Sequence, residues 1–242
     1  VADGAQALNV LAIDAFDVCV VDMQMPHVGG LDVVRTHRFG SDPDGALQER
    51  DEHLDDAVRQ FGPPPMWGRK PGFAALAKII LEQQVSLASA HAVYLKLRSV
   101  IGKVSAHNVA RAPIARLRKC GLTRQKAGYC SELAHRVVSG DLNLKALAGR
   151  NDNEVRDVLV QIKGIGQWTA SVYLLMALRR PDIWPDGDVA LAESARQIKR
   201  LNQRPDYDHL RGIADGWAPW RSVAARILWH AYLSRKKARG FR

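Results

Sequence analysis

The sequence contains few cysteines, no long hydrophobic run and no leader-like N-terminus. Its three cysteines, Cys19, Cys120 and Cys130, form no CxxC pair and no four-cysteine set, so we expect neither an iron–sulfur cluster nor a structural zinc site. A Cys120–Cys130 disulfide is one interpretation, and free buried thiols are favoured in a cytosolic setting. No apolar stretch approaches the roughly 20 residues that cross a bilayer, and nothing resembles a signal peptide. We therefore expect a cytoplasmic protein without a membrane partner.

Acidic residues are scarce after residue 60, although the first 60 residues are rich in them. Residues 1–60 hold 4 Lys and Arg against 12 Asp and Glu, a net charge of −8. Residues 61–242 hold 31 against 13, a net charge of +18. A surplus of this size indicates a polyanionic partner, and nucleic acid is the commonest one. The alternative is a generically basic surface.

Alternating strand patterns are absent after residue 60, and helical patterns replace them. Apolar residues of the stretch FAALAKIILEQ share one face at 3.6-residue spacing: Phe73, Leu76, Ala77 and Ile80. Later apolar runs stop at Gly102 and Gly140, which suit helix C-caps. With 47% hydrophobic residues in a chain of 242, one large core or two small ones can form. The pattern predicts an all-α fold for this part.

The first 38 residues follow a different pattern. In AFDVCVVDMQMPHVGG a β-branched run ends at Asp22, which predicts a buried parallel strand that delivers a carboxylate at its end. The stretch resembles the middle of a response-regulator receiver domain, but the first strand with its acid pair and the later strands are missing. We expect a short, incomplete α/β-like fragment at 1–38 in which Asp22 accepts no phosphate. A Gly-, Asp- and Pro-rich linker at 39–53 leads to the helical domain, 54–242, and GPPP at 62–65 is a second break.

A Gly-Ile-Gly turn in the stretch IKGIGQWTA joins two predicted helices. Glycines at 164 and 166 have no Cβ atom that would block the close approach of a DNA backbone to the turn. We expect the Ile165 side chain to anchor the turn by packing into the core. Backbone N–H groups at the start of the second helix, at Gln167 and beyond, can bind a phosphate. Lys163 precedes the glycines and adds a further phosphate contact. Many helix pairs turn at glycine, so this element alone is weak evidence.

Four blocks of sequence carry a more specific resemblance. They are GPPPMWGRKPGFAALAKIILEQQVSLASA (62–90), IKGIGQWTA (162–170), DIWPDGDVAL (182–191) and WAPWRSVAARILWHAY (217–232). In this order they resemble the helix–hairpin–helix (HhH-GPD) DNA glycosylases, most closely the DNA-3-methyladenine glycosylase II, or AlkA-type, branch. The resemblance covers residues 51–235 and implies a two-lobed helical fold with a cleft between the lobes.

An aspartate beyond the hairpin is the expected catalytic residue. The family's acid follows the hairpin helix in a P-x-x-D turn, which corresponds to PDGD and to Asp188 here. Asp186 is the rival, and Asp188 is preferred because the hydrophobic start of the next helix, 189–191, follows it directly. Rupture of an N-glycosidic bond builds positive charge on the deoxyribose, which an ionised carboxylate stabilises while it orients the attacking water. The alternative role of Asp188 is an N-cap.

Two tryptophans occupy the positions that the resemblance assigns to the base pocket. The electron-rich faces of Trp168 and Trp220 would attract the cationic ring of an N-alkylated purine, and core packing is the alternative for both. Where the branch has a tyrosine four residues after the first tryptophan, this chain has Val172, with Tyr173 next to it, so Tyr173 joins the predicted pocket. Trp168 also stands where lyase members carry a Schiff-base lysine, which predicts that the enzyme does not nick the strand.

Further DNA contacts are expected in the stretch EQQVS and around the hairpin. Gln84 aligns best with the residue that fills the gap left by a flipped base, and Gln83 is second. Solvent-exposed helix-end glutamines are the alternative. The resemblance adds Thr169 of the hairpin helix and Arg221, which would brace Asp188 or contact a phosphate.

The resemblance also implies a monovalent cation, Na⁺ or K⁺, held by the backbone carbonyls of Val160, Ile162 and Ile165, and no required cofactor. The predicted function is a monofunctional glycosylase of base excision repair. As a monomer at the nucleoid, it would flip 3-methyladenine- or 7-methylguanine-type bases out of damaged double-stranded DNA and leave an abasic site. One alternative is an enzyme of the same fold for uracil, hypoxanthine or a mismatched base. The other is a non-catalytic DNA-binding module or a phosphorylation-gated DNA-binding regulator, which the incomplete receiver-like fragment disfavours.

Overall fold

The computed structural model describes residues 47, 50–65 and 67–240. Over these residues the chain forms eleven α-helices and one 3₁₀-helix, and it forms no β-strand there. The all-α prediction is therefore confirmed for this part of the chain. The receiver-like fragment at 1–38, with Cys19 and Asp22, lies outside the described residues.

The chain divides into two compact units, 1–62 and 63–242. The first unit contains α1. The second unit contains the remaining helices and the 3₁₀-helix at Ala146–Gly149. In chain order the α-helices are α1 (Glu52–Phe61), α2 (Phe73–Glu82), α3 (Leu87–Ile101), α4 (Ala106–Ala110), α5 (Ile114–Lys119), α6 (Arg124–Ser139), α7 (Asp152–Val160), α8 (Gln167–Met176), α9 (Val189–Ile198), α10 (Tyr207–Asp215) and α11 (Arg221–Ala238).

Within the first unit, α1 begins at an aspartate cap. The Asp51 side chain accepts a hydrogen bond from the His53 N–H, and Gly62 closes the helix with its N–H on the Val58 carbonyl. These contacts satisfy backbone groups that a helix end leaves unpaired. The predicted linker at 39–53 lies mostly outside the described residues, and its described end leads directly into this helix.

The second unit contains two groups of packed helices. In the first group, α2 packs against α3, α6 and α8, while α4 and α5 pack against α6, and α7 packs against α8. In the second group, α9 and α10 pack against α11. Gly102 and Gly140 are the C-caps of α3 and α6, as their positions in the sequence predicted. Two groups of helices agree with the two lobes that the resemblance implies.

The cysteines of the second unit are buried and reduced. Cys120 and Cys130 are free thiols with no exposed surface, so the free-thiol interpretation is confirmed for this pair. Burial raises the pKa of Cys130 to about 12, although the neighbouring Lys126 ammonium opposes the shift. A thiol with such a pKa stays protonated and unreactive at neutral pH. Among the described residues, no helix is long and apolar enough to cross a membrane.

Candidate active site

The turn between α7 and α8 is a compact hairpin anchored by two isoleucines. The Ile162 N–H donates to the Leu159 carbonyl at 3.1 Å, and the Ile165 N–H donates to the Ile162 carbonyl at 2.9 Å. Ile162 is 2% exposed and Ile165 is 3% exposed. The hairpin is therefore fixed to the core from within, as predicted for Ile165, while its outer side is open.

The two glycines of the hairpin serve different purposes. Gly164 has a φ of +91°, and a Cβ added there would lie 2.1 Å from Cγ of the Tyr129 ring. Gly166 has an ordinary φ of −93°, and a Cβ added there would meet no atom within 4 Å. Glycine at 164 is thus required by the protein's own packing. At 166 the protein's own packing does not require glycine, and the space beside its Cα is open.

The start of α8 is suited to an anion. Gly166 is its N-cap and supplies no side-chain hydrogen bond, so the first N–H groups of the helix lack a side-chain cap. Lys163, Gly166 and Gln167 are exposed, which leaves them available for the predicted phosphate contacts. Thr169 is different, because its side chain is buried and its hydroxyl accepts a hydrogen bond from Gln83. The Thr169 side chain is therefore engaged within the protein, and the DNA contact of Thr169 stays a prediction.

Asp188 stands at the N-cap of α9 with both carboxylate oxygens engaged. Oδ1 accepts from the Leu191 N–H at 2.9 Å, and Oδ2 accepts from the Trp168 indole N–H at 2.9 Å. Asp188 is only 9% exposed. Capping and catalysis were alternatives for this residue in the sequence. In the structure the cap holds one oxygen, and the hairpin helix orients the other.

The acids of the loop before α9 differ in their partners. Asp182 binds Arg221, and Asp186 lies 3.2 Å from Arg211 Nη1. The Asp188 carboxylate makes no salt bridge within the described part of the chain, and both of its partners are neutral N–H groups. Asp188 therefore has no cationic partner within 4.0 Å among the described residues, and its two partners are the N–H groups of Leu191 and Trp168. This property distinguishes it from its rival, Asp186.

The aromatic residues of the predicted base pocket separate into two classes. Trp168, in the first turn of α8, and Trp220, the N-cap of α11, are both half-buried. Tyr173 has no exposed surface, and its hydroxyl accepts a hydrogen bond from the Gly72 N–H at 3.0 Å. Burial raises the pKa of that phenol. Tyr173 is thus a core residue, and its predicted place in the pocket is wrong. Val172 is also buried, at 3% exposure.

The two glutamines after α2, Gln83 and Gln84, differ in where their side chains lie. Gln84 is exposed and has a φ of +55°, so it remains the candidate that projects toward DNA. Gln83 is turned inward, and its Nε2 donates to the Gly164 carbonyl and to Thr169 Oγ1, each at 2.9 Å. Its side chain cannot project while it makes these bonds. The prediction of Gln83 as the second candidate for filling the gap is therefore corrected.

Arg221 is engaged by carboxylates other than Asp188. Its Nε and Nη2 donate to the two oxygens of Asp182, each at 2.7 Å, and its Nη1 lies 3.3 Å from Asp215 Oδ1. The hydrogen bonds that Arg221 donates to Asp182 raise the pKa of Arg221. A bidentate pair of this kind fixes the loop before α9 to the start of α11. The predicted brace on Asp188 is wrong, because Trp168 fills that role.

The hairpin carbonyls are a chemically suitable set for a monovalent cation. Backbone carbonyl oxygens are hard ligands, and each has two lone pairs. The Ile162 oxygen already accepts the Ile165 N–H, which leaves one lone pair. The set of Val160, Ile162 and Ile165 stays a prediction. Among the described residues, no group of three or more His, Cys, Asp or Glu side chains could hold a metal.

Comparison with known proteins identifies the family. Residues 77–219 match the model of the HhH-GPD superfamily, described as base excision DNA repair proteins. A DNA-3-methyladenine glycosylase of Bacillus subtilis is 30% identical over 169 residues, which are 65% of this chain and 56% of the relative. DNA-3-methyladenine glycosylase 1 of Schizosaccharomyces pombe is 27% identical over 187 residues, which are 76% of this chain and 82% of that protein. The chain therefore spans little more than half the length of the Bacillus relative.

Solved structures show the same fold. The S. pombe 3-methyladenine DNA glycosylase Mag1, in complex with abasic DNA, superposes with a TM-score of 0.72 at 24% identity, covering 77% of this chain and 94% of Mag1. The DNA-3-methyladenine glycosidase of Bacillus halodurans has a TM-score of 0.65 at 28% identity, covering 81% and 91% of the two chains. The chain thus shares its helical fold with these proteins.

Proposed function

Because the chain belongs to the HhH-GPD superfamily of base excision DNA repair proteins, we propose that it is a DNA glycosylase. It would hydrolyse the N-glycosidic bond of alkylated bases in double-stranded DNA and leave an abasic site. The names of the Bacillus and S. pombe relatives support this substrate class. The observation that carries the proposal is the Asp188 carboxylate. It is largely buried, bonded to two neutral N–H groups and tied to the hairpin helix through Trp168.

The hairpin and the basic surface would hold the DNA backbone. The open N-terminus of α8 would bind a phosphate through its N–H groups, with Lys163 beside it. These contacts carry no base information, so they position the duplex at any sequence. The +18 surplus in residues 61–242 attracts the polyanion. Gln84 would then fill the space that the extruded nucleotide leaves, since flipping costs a few kcal/mol that the enzyme must offset.

The chemical step needs one carboxylate and an aromatic surface. As the bond between C1′ and the base nitrogen breaks, the base leaves with the electron pair, and the sugar becomes an oxocarbenium ion that Asp188 stabilises. Water adds its oxygen to C1′ and gives up a proton to the Asp188 carboxylate, which passes it to solvent. An alkylated purine is cationic before cleavage and leaves as a neutral base, so no acid is needed to protonate it. Exposed ring surface of Trp168 and Trp220 would attract that cation.

A panel of defined lesions tests the substrate class. Duplexes that carry one 3-methyladenine analogue, 7-methylguanine, hypoxanthine, uracil or a mismatch should separate the candidates under single-turnover conditions. We expect the cationic purines to be released at least about tenfold faster than neutral lesions, because cation–π attraction in a desolvated site is worth about 2 kcal/mol. Faster release of uracil or hypoxanthine would support the alternative, an enzyme of the same fold that acts on those lesions. Binding without any release would favour the non-catalytic module.

We also propose that the enzyme lacks lyase activity. Trp168 occupies the position of the family's Schiff-base lysine, and its indole N–H is bonded to Asp188, so no amine is available there. Borohydride added during turnover should trap no protein–DNA adduct, and strands with abasic sites should stay intact until they are treated with alkali. A bifunctional glycosylase on the same DNA is the positive control. A trapped adduct would overturn this part of the proposal.

The Trp168–Asp188 hydrogen bond should contribute to the rate. Trp168→Phe keeps an aromatic surface but removes the indole N–H from Asp188 Oδ2, at 2.9 Å. A hydrogen bond to a charged group contributes about 1.5–3 kcal/mol, so we expect the single-turnover rate to fall about 10- to 100-fold with little change in DNA affinity. In an Asp188→Asn background the same change should have almost no further effect. An unchanged rate in the single variant would limit Trp168 to stacking.

A further inference from the structure

The end of α2 is bonded directly to the hairpin. The Gln83 amide has two N–H donors, and the structure provides two acceptors, the Gly164 carbonyl and Thr169 Oγ1, each 2.9 Å from Nε2. One acceptor belongs to the hairpin turn and the other to the first turn of α8. A single side chain thus joins the segment that precedes Gln84 to both parts of the proposed phosphate site.

Helix α6 contacts both of the segments that Gln83 joins, the end of α2 and the hairpin; the bonds of Gln83 between them are called the junction below. Lys126 Nζ donates to the carbonyls of Leu81 and Gln83, each at 2.7 Å. Burial lowers the pKa of Lys126, an effect that the Cys130 thiol partly opposes. One turn further along, the Tyr129 ring contacts the Cα side of Gly164 so closely that no Cβ would fit. Lys126 therefore holds the end of α2, while Tyr129 holds the hairpin.

These contacts determine the backbone at Gln84. Gln84 has a left-handed backbone, with a φ of +55°, which non-glycine residues adopt only when their surroundings impose it. Its neighbours on the two sides are fixed. Gln83 is bonded to the hairpin and to Lys126, and the Ser86 side chain caps α3 by accepting the Ser89 N–H. The exposed Gln84 side chain thus lies between two hydrogen-bonded positions, Gln83 and Ser86, and Gln83 joins the loop to the hairpin.

We propose that Gln83 is a positioning residue that couples the phosphate-binding hairpin to Gln84, so that backbone binding and base extrusion occur as one step. The inference rests on the proposed function, because it assigns the direct role in extrusion to Gln84. When a phosphate occupies the start of α8, the Gln83 amide fixes how deeply Gln84 enters the duplex. Without that amide the hairpin still binds DNA, but Gln84 is no longer held at the depth that replaces the extruded base.

Gln83→Glu is the sharpest test, because it keeps the size of the side chain and removes both N–H donors. The new carboxylate would also repel the Gly164 carbonyl oxygen, because both groups carry full or partial negative charge and neither has a hydrogen to donate. Gln84→Ala is the matched variant, since it removes the projecting side chain and leaves the junction intact. Both proteins would be compared with wild type in thermal melting, in affinity for a duplex with an abasic analogue, and in the fluorescence of a 2-aminopurine beside the target. The fluorescence reports extrusion whether or not any base is released, so the proposed chemistry can fail without obscuring the coupling.

The expected result for Gln83→Glu is at least a tenfold loss of extrusion on a paired target, with less than a threefold loss of affinity for the abasic duplex. If alkylated bases are released, the single-turnover rate should fall in parallel on paired DNA. It should recover to within threefold of wild type when the target lies in an unpaired bulge, where extrusion is nearly free. Extrusion equal to wild type would overturn the proposal. So would a rate loss that persists on the bulge, since that result indicates general damage to the site.

Discussion

Replacing Asp188 with Asn is expected to abolish base release while the protein still folds and binds DNA. The change replaces the carboxylate that has no salt-bridge partner among the described residues with a neutral amide, so the proposed stabilisation of the sugar cation is lost. Loss of a single group that stabilises transition-state charge costs about 100- to 1,000-fold in rate, and loss of a full charge should cost at least that. Asn still accepts the Leu191 N–H, because Asn is as good an N-cap as Asp. DNA affinity should be retained or increased, since a negative charge has been removed.

Asp186→Asn is the matched control for that result. It makes the same chemical change two residues earlier in the same turn, where the carboxylate pairs with Arg211. We expect a rate within about threefold of wild type, because exposed ion pairs contribute about 0–1 kcal/mol. Single-turnover release from a lesion-containing duplex, together with fluorescence anisotropy for binding, compares the two variants directly. Release retained in Asp188→Asn, or lost only in Asp186→Asn, would reverse the assignment.

Gly164→Ala should cause the largest loss of stability among the hairpin variants. A residue with a Cβ in the left-handed region costs about 1–2 kcal/mol, and the φ here is +91°. The new Cβ would also lie 2.1 Å from Cγ of the Tyr129 ring and 2.3 and 2.6 Å from the two Cδ atoms, so the hairpin or the ring must move. We expect a total loss of more than about 2 kcal/mol. For a unit of this size, each kcal/mol lowers Tm by about 2–4 °C, which thermal unfolding can resolve.

Gly166→Ala separates stability from DNA binding at the same hairpin. Its φ of −93° suits any residue, and no atom lies within 4 Å of the added Cβ. Stability should fall by about 1 kcal/mol at most, through a poorer N-cap. The Cβ would nevertheless stand where a phosphate approaches α8, so DNA affinity should fall about tenfold. Unchanged affinity in this variant would mean that no phosphate binds at the start of α8.

Much of the fold could be predicted from the sequence, because local rules govern it. The 3.6-residue apolar spacing and the terminal glycines at 102 and 140 define helices without reference to tertiary structure. The hairpin is visible because Gly-Ile-Gly interrupts two such helices. The N-cap role of Asp188, one of the two roles that the sequence left open, could be predicted because the hydrophobic start of α9 follows it directly.

The partners of these residues could not be predicted, because they are distant in the chain. Trp168 and Asp188 are 20 residues apart, Arg221 and Asp182 are 39 apart, and Gln83 reaches a carbonyl 81 residues away. No local spacing records such contacts. An acid and an arginine in neighbouring blocks are only a weak signal for pairing.

Tyr173 was misplaced for a different physical reason. In α8 every residue from Thr169 to Leu175 is buried, so the helix has no polar face that would show which side points outward. An aromatic residue in such a helix fits a pocket and a core equally well in sequence. The structure resolves this choice through the Gly72 N–H, which satisfies the buried Tyr173 hydroxyl.

The central claim is that this chain releases alkylated bases through Asp188. The most direct measurement is chromatography of the purines freed from methylated duplex DNA by wild type and by Asp188→Asn at matched DNA occupancy. The wild-type protein should release 3-methyladenine and 7-methylguanine and leave unbroken strands with alkali-labile abasic sites, while the variant releases neither base. Wild-type protein that binds the methylated duplex and frees no purine, or a variant that frees purines at the wild-type rate, would contradict the claim.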